Sequence, residues 1–167
     1  MYSKAKIMGH PIHPMLVTFP IAFYVSTFIA FAIYGVSSDP FWFRVGIVAN
    51  SAGVLTAVFA ALFGFIDWYM GIPSGTHAKM TGVKHMLLNV VSLLVFLTCL
   101  YLNAGQWSAA APVMSGAIIL PLIGVLLTIG AGYYGWTLVQ NHHVGVEFSQ
   151  DEESCMKDIS RYTRHTA

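Results

Sequence analysis

Residues 14–34 read PMLVTFPIAFYVSTFIAFAIY, a stretch without a single charged side chain. A helix crosses the hydrocarbon of a bilayer with about 20 apolar residues, so this segment alone is long enough to span. Pro14 suits a first helical turn, where the missing N–H leaves nothing unpaired. Pro20 lies inside the run and predicts a local bend. Three further apolar runs follow, at about 44–70, 83–102 and 113–139. The second is rich in Gly, Ala and Ser, among them Gly46, Gly53, Ala60 and Gly64, a composition that lets membrane helices approach closely. The fourth contains Pro121 and is expected to be interrupted there.

Between the runs lie turn-forming segments. Residues 37–40 (SSDP) read as a turn, 71–81 as a loop, and 103–112 as a short uncharged connection. This division puts Lys84 and His85 in the first turn of the third span. From residue 147 the chain is polar; Ser149 and Glu152 have capping-box spacing, and Glu153 and Lys157 share a helical face. The expected fold class is therefore all-α: an integral membrane four-helix bundle over 1–146, followed by a polar tail over 147–167.

Composition agrees. The chain is 56% hydrophobic and 9% charged, whereas a soluble domain carries about 25% charged residues; so few charges could not cover a surface facing water. A net charge of +1 provides no basic field for nucleic acid. Cys99 and Cys155 lie far apart and form no CxxC or CxxCH, which argues against a disulfide framework, a cysteine zinc site and covalent haem attachment. No cleavable leader is expected, because the first apolar run exceeds the roughly 7–15 residues of a signal core.

Lys and Arg set the orientation. Lys4, Lys6, Lys79, Lys84, Lys157, Arg161 and Arg164 fall on the side shared by the two termini and the second connection; Arg44 alone falls opposite. Both termini are thus expected on the cytoplasmic side. Trp68 and Trp136 would form the inner aromatic belt and Trp42 and Trp107 the outer one.

Six of the seven histidines gather on that same side: His10 and His13 before the first span, His77 in the loop, His85 in the third span, His142 and His143 after the fourth. His165 lies in the tail. Imidazole is the usual neutral ligand for haem iron, zinc and copper, but it is also tolerated at a membrane interface. His85, among apolar neighbours, needs a partner. Asp67 is the one acidic residue placed within a span. It could orient a ligand histidine through the second ring N–H, pair with Lys79 or Lys84, or cap nearby backbone.

The blocks GHPIHPMLVTFPIA (9–22), GFIDWYMGIPSGT (64–76), KHMLLNVVSLL (84–94) and YGWTLVQNHHVGV (134–146) resemble those of a widespread bacterial family of four-span membrane proteins of unknown function. The resemblance covers nearly all of 9–146 and favours His142 over His143 as the family histidine. It implies a multi-pass protein of the bacterial inner membrane. Its histidines suggest b-type haem, with His10, His13, His85 and His142 as iron ligands, enough for two haems per chain, and with Asp67, Trp68 and Trp136 beside them. Phe19, Phe23, Tyr69 and Tyr133 are further candidate lining. The function expected is electron transfer near the cytoplasmic face, with quinone or a small redox partner; homo-oligomers are compatible. The alternatives are a histidine site for zinc, copper or iron without porphyrin, and a cofactor-free scaffold subunit.

Overall fold

The computed structural model describes residues 3–114, 116, 118–146, 149, 151, 152, 154 and 155. Its helices are α1 (Ile12–Leu16), α2 (Thr18–Ser37), α3 (Pro40–Ile66), α4 (His77–Asn103) and α5 (Ile119–Gln140). Four stretches are long and apolar enough to cross a membrane: Ile12–Ser37, Pro40–Gly71, His77–Gln106 and Ile119–Gln140. Large apolar side chains such as Ile29, Leu55, Leu62, Leu94, Leu126 and Ile129 point outward. An outer surface this apolar is soluble only in lipid, and the chain is a multi-pass membrane protein.

Local chemistry moves several boundaries from their expected places. The first span is broken at Val17, three residues before Pro20. Proline has no N–H to give the carbonyl one turn back, so the bend falls in the turn before the ring. The second span begins at Pro40, behind an Asp39 cap whose Oδ1 accepts from Phe41 N at 2.9 Å. The third begins at His77 because Thr76 caps it, accepting at Oγ1 from Lys79 N at 3.2 Å. His85 is therefore more than two turns into α4, not in its first turn. The fourth begins at Ile119, so Pro121 occupies the first turn and interrupts nothing, consistent with its missing donor.

α3 ends in a π-helical turn, Asp67–Gly71. Lys79 closes it from below: Nζ donates to the carbonyls of Trp68 (2.6 Å), Ile72 (3.1 Å) and Tyr69 (3.3 Å) and lies 4.0 Å from the Trp68 ring centre. Before α1 the chain forms a small antiparallel hairpin, Lys6–Ile7 against His10–Pro11. Met8 and Gly9 make its turn with φ of 50° and 82°, the left-handed pair that a tight hairpin turn requires.

The bundle is built from two closely packed hairpins, α2 with α3 and α4 with α5, joined along a sparser seam. The hairpins repeat each other. In the first, Tyr24 lies on Gly53 and His13 on Gly64. In the second, Phe96 lies on Gly124 and His85 on Gly135. Every member of the first set recurs 71 or 72 positions later. Tyr24 and Phe96 stack on each other across the seam, centroids 3.6 Å apart and planes 4° from parallel. These pairings are those of an approximate two-fold axis along the bundle, since α2 and α4 run in the same direction. Parallel internal repeats of this kind recur among membrane proteins.

Candidate functional site

His13 enters the bundle on α1, just before the break at Val17. Its Nδ1 lies 2.8 Å from the carbonyl of Ala60 on α3, 47 residues away. His85, on α4, repeats the arrangement: its Nδ1 lies 2.8 Å from the carbonyl of Ala131 on α5, 46 residues away. A carbonyl only accepts, so each Nδ1 carries a proton; in the neutral ring this leaves the lone pair on Nε2.

The glycines make room for these rings. A Cβ on Gly64 would stand 2.7 Å from His13 Cε1, and one on Gly135 would stand 3.1 Å from His85 Cε1. Each imidazole thus rests on the bare backbone of a neighbouring helix, four residues past the carbonyl that orients it. The two rings then meet across the seam with centroids 6.2 Å apart and planes at 88°.

The two nitrogens differ in one respect. Asn89, one turn beyond His85, has Nδ2 2.9 Å from the His85 carbonyl and 3.2 Å from His85 Nε2. The first contact requires a donor, which fixes the amide orientation and makes the second a hydrogen bond from Asn89 to the imidazole lone pair. The corresponding residue beside His13, by the 72-residue repeat, is Val17.

The other histidines lie elsewhere. His10 is exposed on the hairpin, its Nδ1 donating to Met8 O at 3.0 Å. His77 is the exposed first residue of α4. Thr81 gives its hydroxyl proton to His77 O at 3.0 Å, so the long 3.4 Å contact between Thr81 Oγ1 and His142 Nε2 has His142 as donor. His143 is exposed, with φ of 51°. His165 falls outside the described residues.

Among the described residues Asp67 bonds to no histidine and to neither Lys79 nor Lys84. Its carboxylate accepts from Ser3 Oγ (2.8 and 2.9 Å), Lys4 N (2.8 Å) and Ala5 N (3.0 Å), fastening the N-terminal hairpin to the end of α3. The carbonyls that hold His13 and His85 are instead those of Ala60 and Ala131. Trp68 is held by Lys79, to whose carbonyl its Nε1 donates at 3.2 Å. Trp136, Tyr133, Tyr69 and Phe19 are 60%, 65%, 68% and 52% exposed and face outward, away from any interior pocket; interface aromatics do this.

Between α2 and α5 lies an apolar groove of about 230 Å³, lined by Ile21, Tyr24, Val25, Val125, Thr128, Ile129 and Gly132. Among the described residues no group of three or more His, Cys, Asp and Glu is placed to hold a metal ion.

Residues 9–148 match a family model described as "Predicted membrane protein (DUF2231)". No curated protein and no solved structure matches the chain.

Proposed function

The chain belongs to the DUF2231 family of predicted membrane proteins, and on that footing we propose, from its own residues, that it holds b-type haem between His13 and His85 and carries electrons in the membrane. The observation behind this reading is the pair itself: two imidazoles, each with Nδ1 tied to a helix carbonyl, whose centroids lie 6.2 Å apart. Two rings ligating one metal from opposite sides, with bonds of about 2.0–2.1 Å, have centroids about 6 Å apart. Tying the second nitrogen to a carbonyl is how metal-ligating histidines are usually oriented.

Haem suits a two-histidine site better than a bare ion does. The porphyrin supplies the equatorial nitrogens and asks the protein for axial ligands alone, whereas zinc takes three or four protein ligands. A porphyrin would have to enter the sparse seam between the hairpins, where an apolar groove lies between α2 and α5 but is lined by neither histidine. Haem, when bound, supplies one-electron chemistry; the protein's part is to hold two imidazoles, exclude water and keep the site within lipid. With two imidazoles to hold the group, electron transfer to quinone or a small redox protein would be the matching activity.

Four candidate histidines would serve two haems. His13 and His85 bring their rings together, so the form proposed is the single His13–His85 site with one haem per chain. The excess of Lys and Arg on the side of the termini supports a site near the cytoplasmic face of a bacterial inner membrane. The test is haem titration into detergent-purified, haem-free protein. A Soret band with sharp α and β bands on reduction is expected, at one haem per chain by pyridine haemochrome. A folded sample with no Soret band refutes haem binding, and metal content then separates a bare-ion site from a scaffold. A count of two refutes the single-site form.

A further inference from the structure

The groove between α2 and α5 includes a donor with nothing to bond. Tyr24 is part of its lining. The residue is 4% exposed, and its hydroxyl is buried without a hydrogen-bond partner among the described residues. A buried O–H left unpaired is costly, and packing does not call for it. At the repeat-related position Phe96 makes on Gly124 the contact that Tyr24 makes on Gly53, with no hydroxyl at all. The other hydroxyl on the lining, that of Thr128, spends its proton inside the bundle, on Gly124 O at 2.8 Å or Ser92 Oγ at 2.9 Å. Tyr24 therefore remains the donor that a ligand in the groove could satisfy.

We propose that this groove binds a lipid-soluble quinone, with a ring carbonyl accepting from Tyr24. Three features select that class. Exposed Ile21, Val25 and Ile129 on the lining open the groove to lipid, and no charged residue lines it, so the ligand is uncharged and comes from the membrane. The volume of about 230 Å³ suits a ring with small substituents, since a cavity of about 150 Å³ holds benzene. Tyr24 and Thr128 lie midway along the spans Ile12–Ser37 and Ile119–Gln140, so the acceptor is needed about 15 Å from either edge of the hydrocarbon. Phospholipid ester carbonyls are held at that edge by their headgroups; an acyl chain could fill the groove but would leave Tyr24 unpaired. A quinone carries its carbonyls on an uncharged ring that can reach this depth. The inference stands on the groove and Tyr24, not on haem or the histidines, and it includes no electron transfer.

Decyl-benzoquinone added to the protein in phosphatidylcholine nanodiscs tests this, with or without haem. Saturable binding of one quinone per chain is expected, with a carbonyl stretching band displaced to lower frequency by the hydrogen bond. Tyr24→Phe, which copies Phe96, should weaken binding about tenfold, the worth of a bond from a donor already stripped of water. It should also remove the displaced band and leave the ligand-free protein at least as stable. Gly132→Leu places a side chain on the lining where a Cβ meets nothing within 4 Å, and should abolish binding with Tyr24 intact. Decylbenzene, which has no carbonyl, should bind wild type and Tyr24→Phe alike. No saturable binding to folded wild type, equal affinity in Tyr24→Phe, or an undisplaced carbonyl band overturns the inference. A less stable ligand-free Tyr24→Phe also overturns it, because the hydroxyl would then have a partner within the protein. The Soret band plays no part in these readouts, so the haem reading stands or fails separately.

Discussion

His13 and His85, 72 residues apart in the chain, hold their imidazoles at right angles with centroids 6.2 Å apart across the seam of the bundle. Each is fixed by its own hairpin, through Ala60 and Gly64 for one and Ala131 and Gly135 for the other. The pairing is a property of the repeat: once a hairpin presents a histidine to the axis, its copy presents the second from the opposite side.

The glycine sockets give the first prediction. Gly64→Ala would put a methyl 2.7 Å from the His13 ring and Gly135→Ala one 3.1 Å from the His85 ring. Overpacking of this kind costs about 1–3 kcal/mol, and the closer contact should cost more. Thermal unfolding in detergent should rank Gly64→Ala below Gly135→Ala, with haem content falling in the same order. Two variants as stable as the wild type would mean that the rings do not rest on these backbones.

Asp67 should matter for the N-terminal hairpin and not for the cofactor. Asp67→Asn keeps the shape but removes the charge that accepts from Ser3, Lys4 and Ala5. Hydrogen bonds to a charged group contribute about 1.5–3 kcal/mol before solvent screening, so residues 3–11 should exchange amide hydrogens faster while the haem spectrum is unaltered. A changed spectrum with an undisturbed hairpin would return Asp67 to the site.

Lys79 should hold the α3–α4 connection. Lys79→Met retains the apolar stem over Trp68 but loses three carbonyl contacts. Faster proteolysis between residues 68 and 76 is expected. Equal cleavage of wild type and variant would refute the role.

Orientation is tested by reporter fusions at the tail and in the 104–118 connection. The tail fusion should report the cytoplasm and the connection the opposite side, because seven of the eight Lys and Arg residues lie on the side of the termini. The reverse pattern would invert the topology and move the histidine pair to the outer face.

The four spans were legible because uncharged runs such as 14–34 leave no soluble alternative, and the small residues of α3 were legible as packing surface. The capping box was legible as well: Ser149 N and Oγ donate to Glu152 Oε2 at 2.8 and 2.9 Å, and these backbone and side-chain bonds hold the Glu152 carboxyl below its ordinary pKa. Glu153 and Lys157 lie outside the described residues. The beginnings of α4 and α5 were misplaced because hydropathy marks where lipid begins, whereas caps such as Thr76 mark where the helix begins. Among the histidines, sequence gave the candidates but not the pairing. The acceptors that orient His13 and His85 are main-chain carbonyls, which every residue possesses, so nothing about Ala60 or Ala131 stands out. The glycines did leave a signal in the 71-residue recurrence of Gly53-Val54-Leu55 as Gly124-Val125-Leu126, and of Gly64-Phe65 as Gly135-Trp136. Asn89 left none, since an asparagine one turn from a histidine is common on helices.

The central claim is that His13 and His85 form one ligand pair, and single alanine variants carried through haem titration test it most directly. His13→Ala and His85→Ala should each abolish the low-spin spectrum, leaving high-spin or unbound haem. His10→Ala, His142→Ala and His143→Ala should keep the wild-type bands and one haem per chain. A low-spin spectrum surviving in His85→Ala, or lost in His142→Ala, would contradict the account.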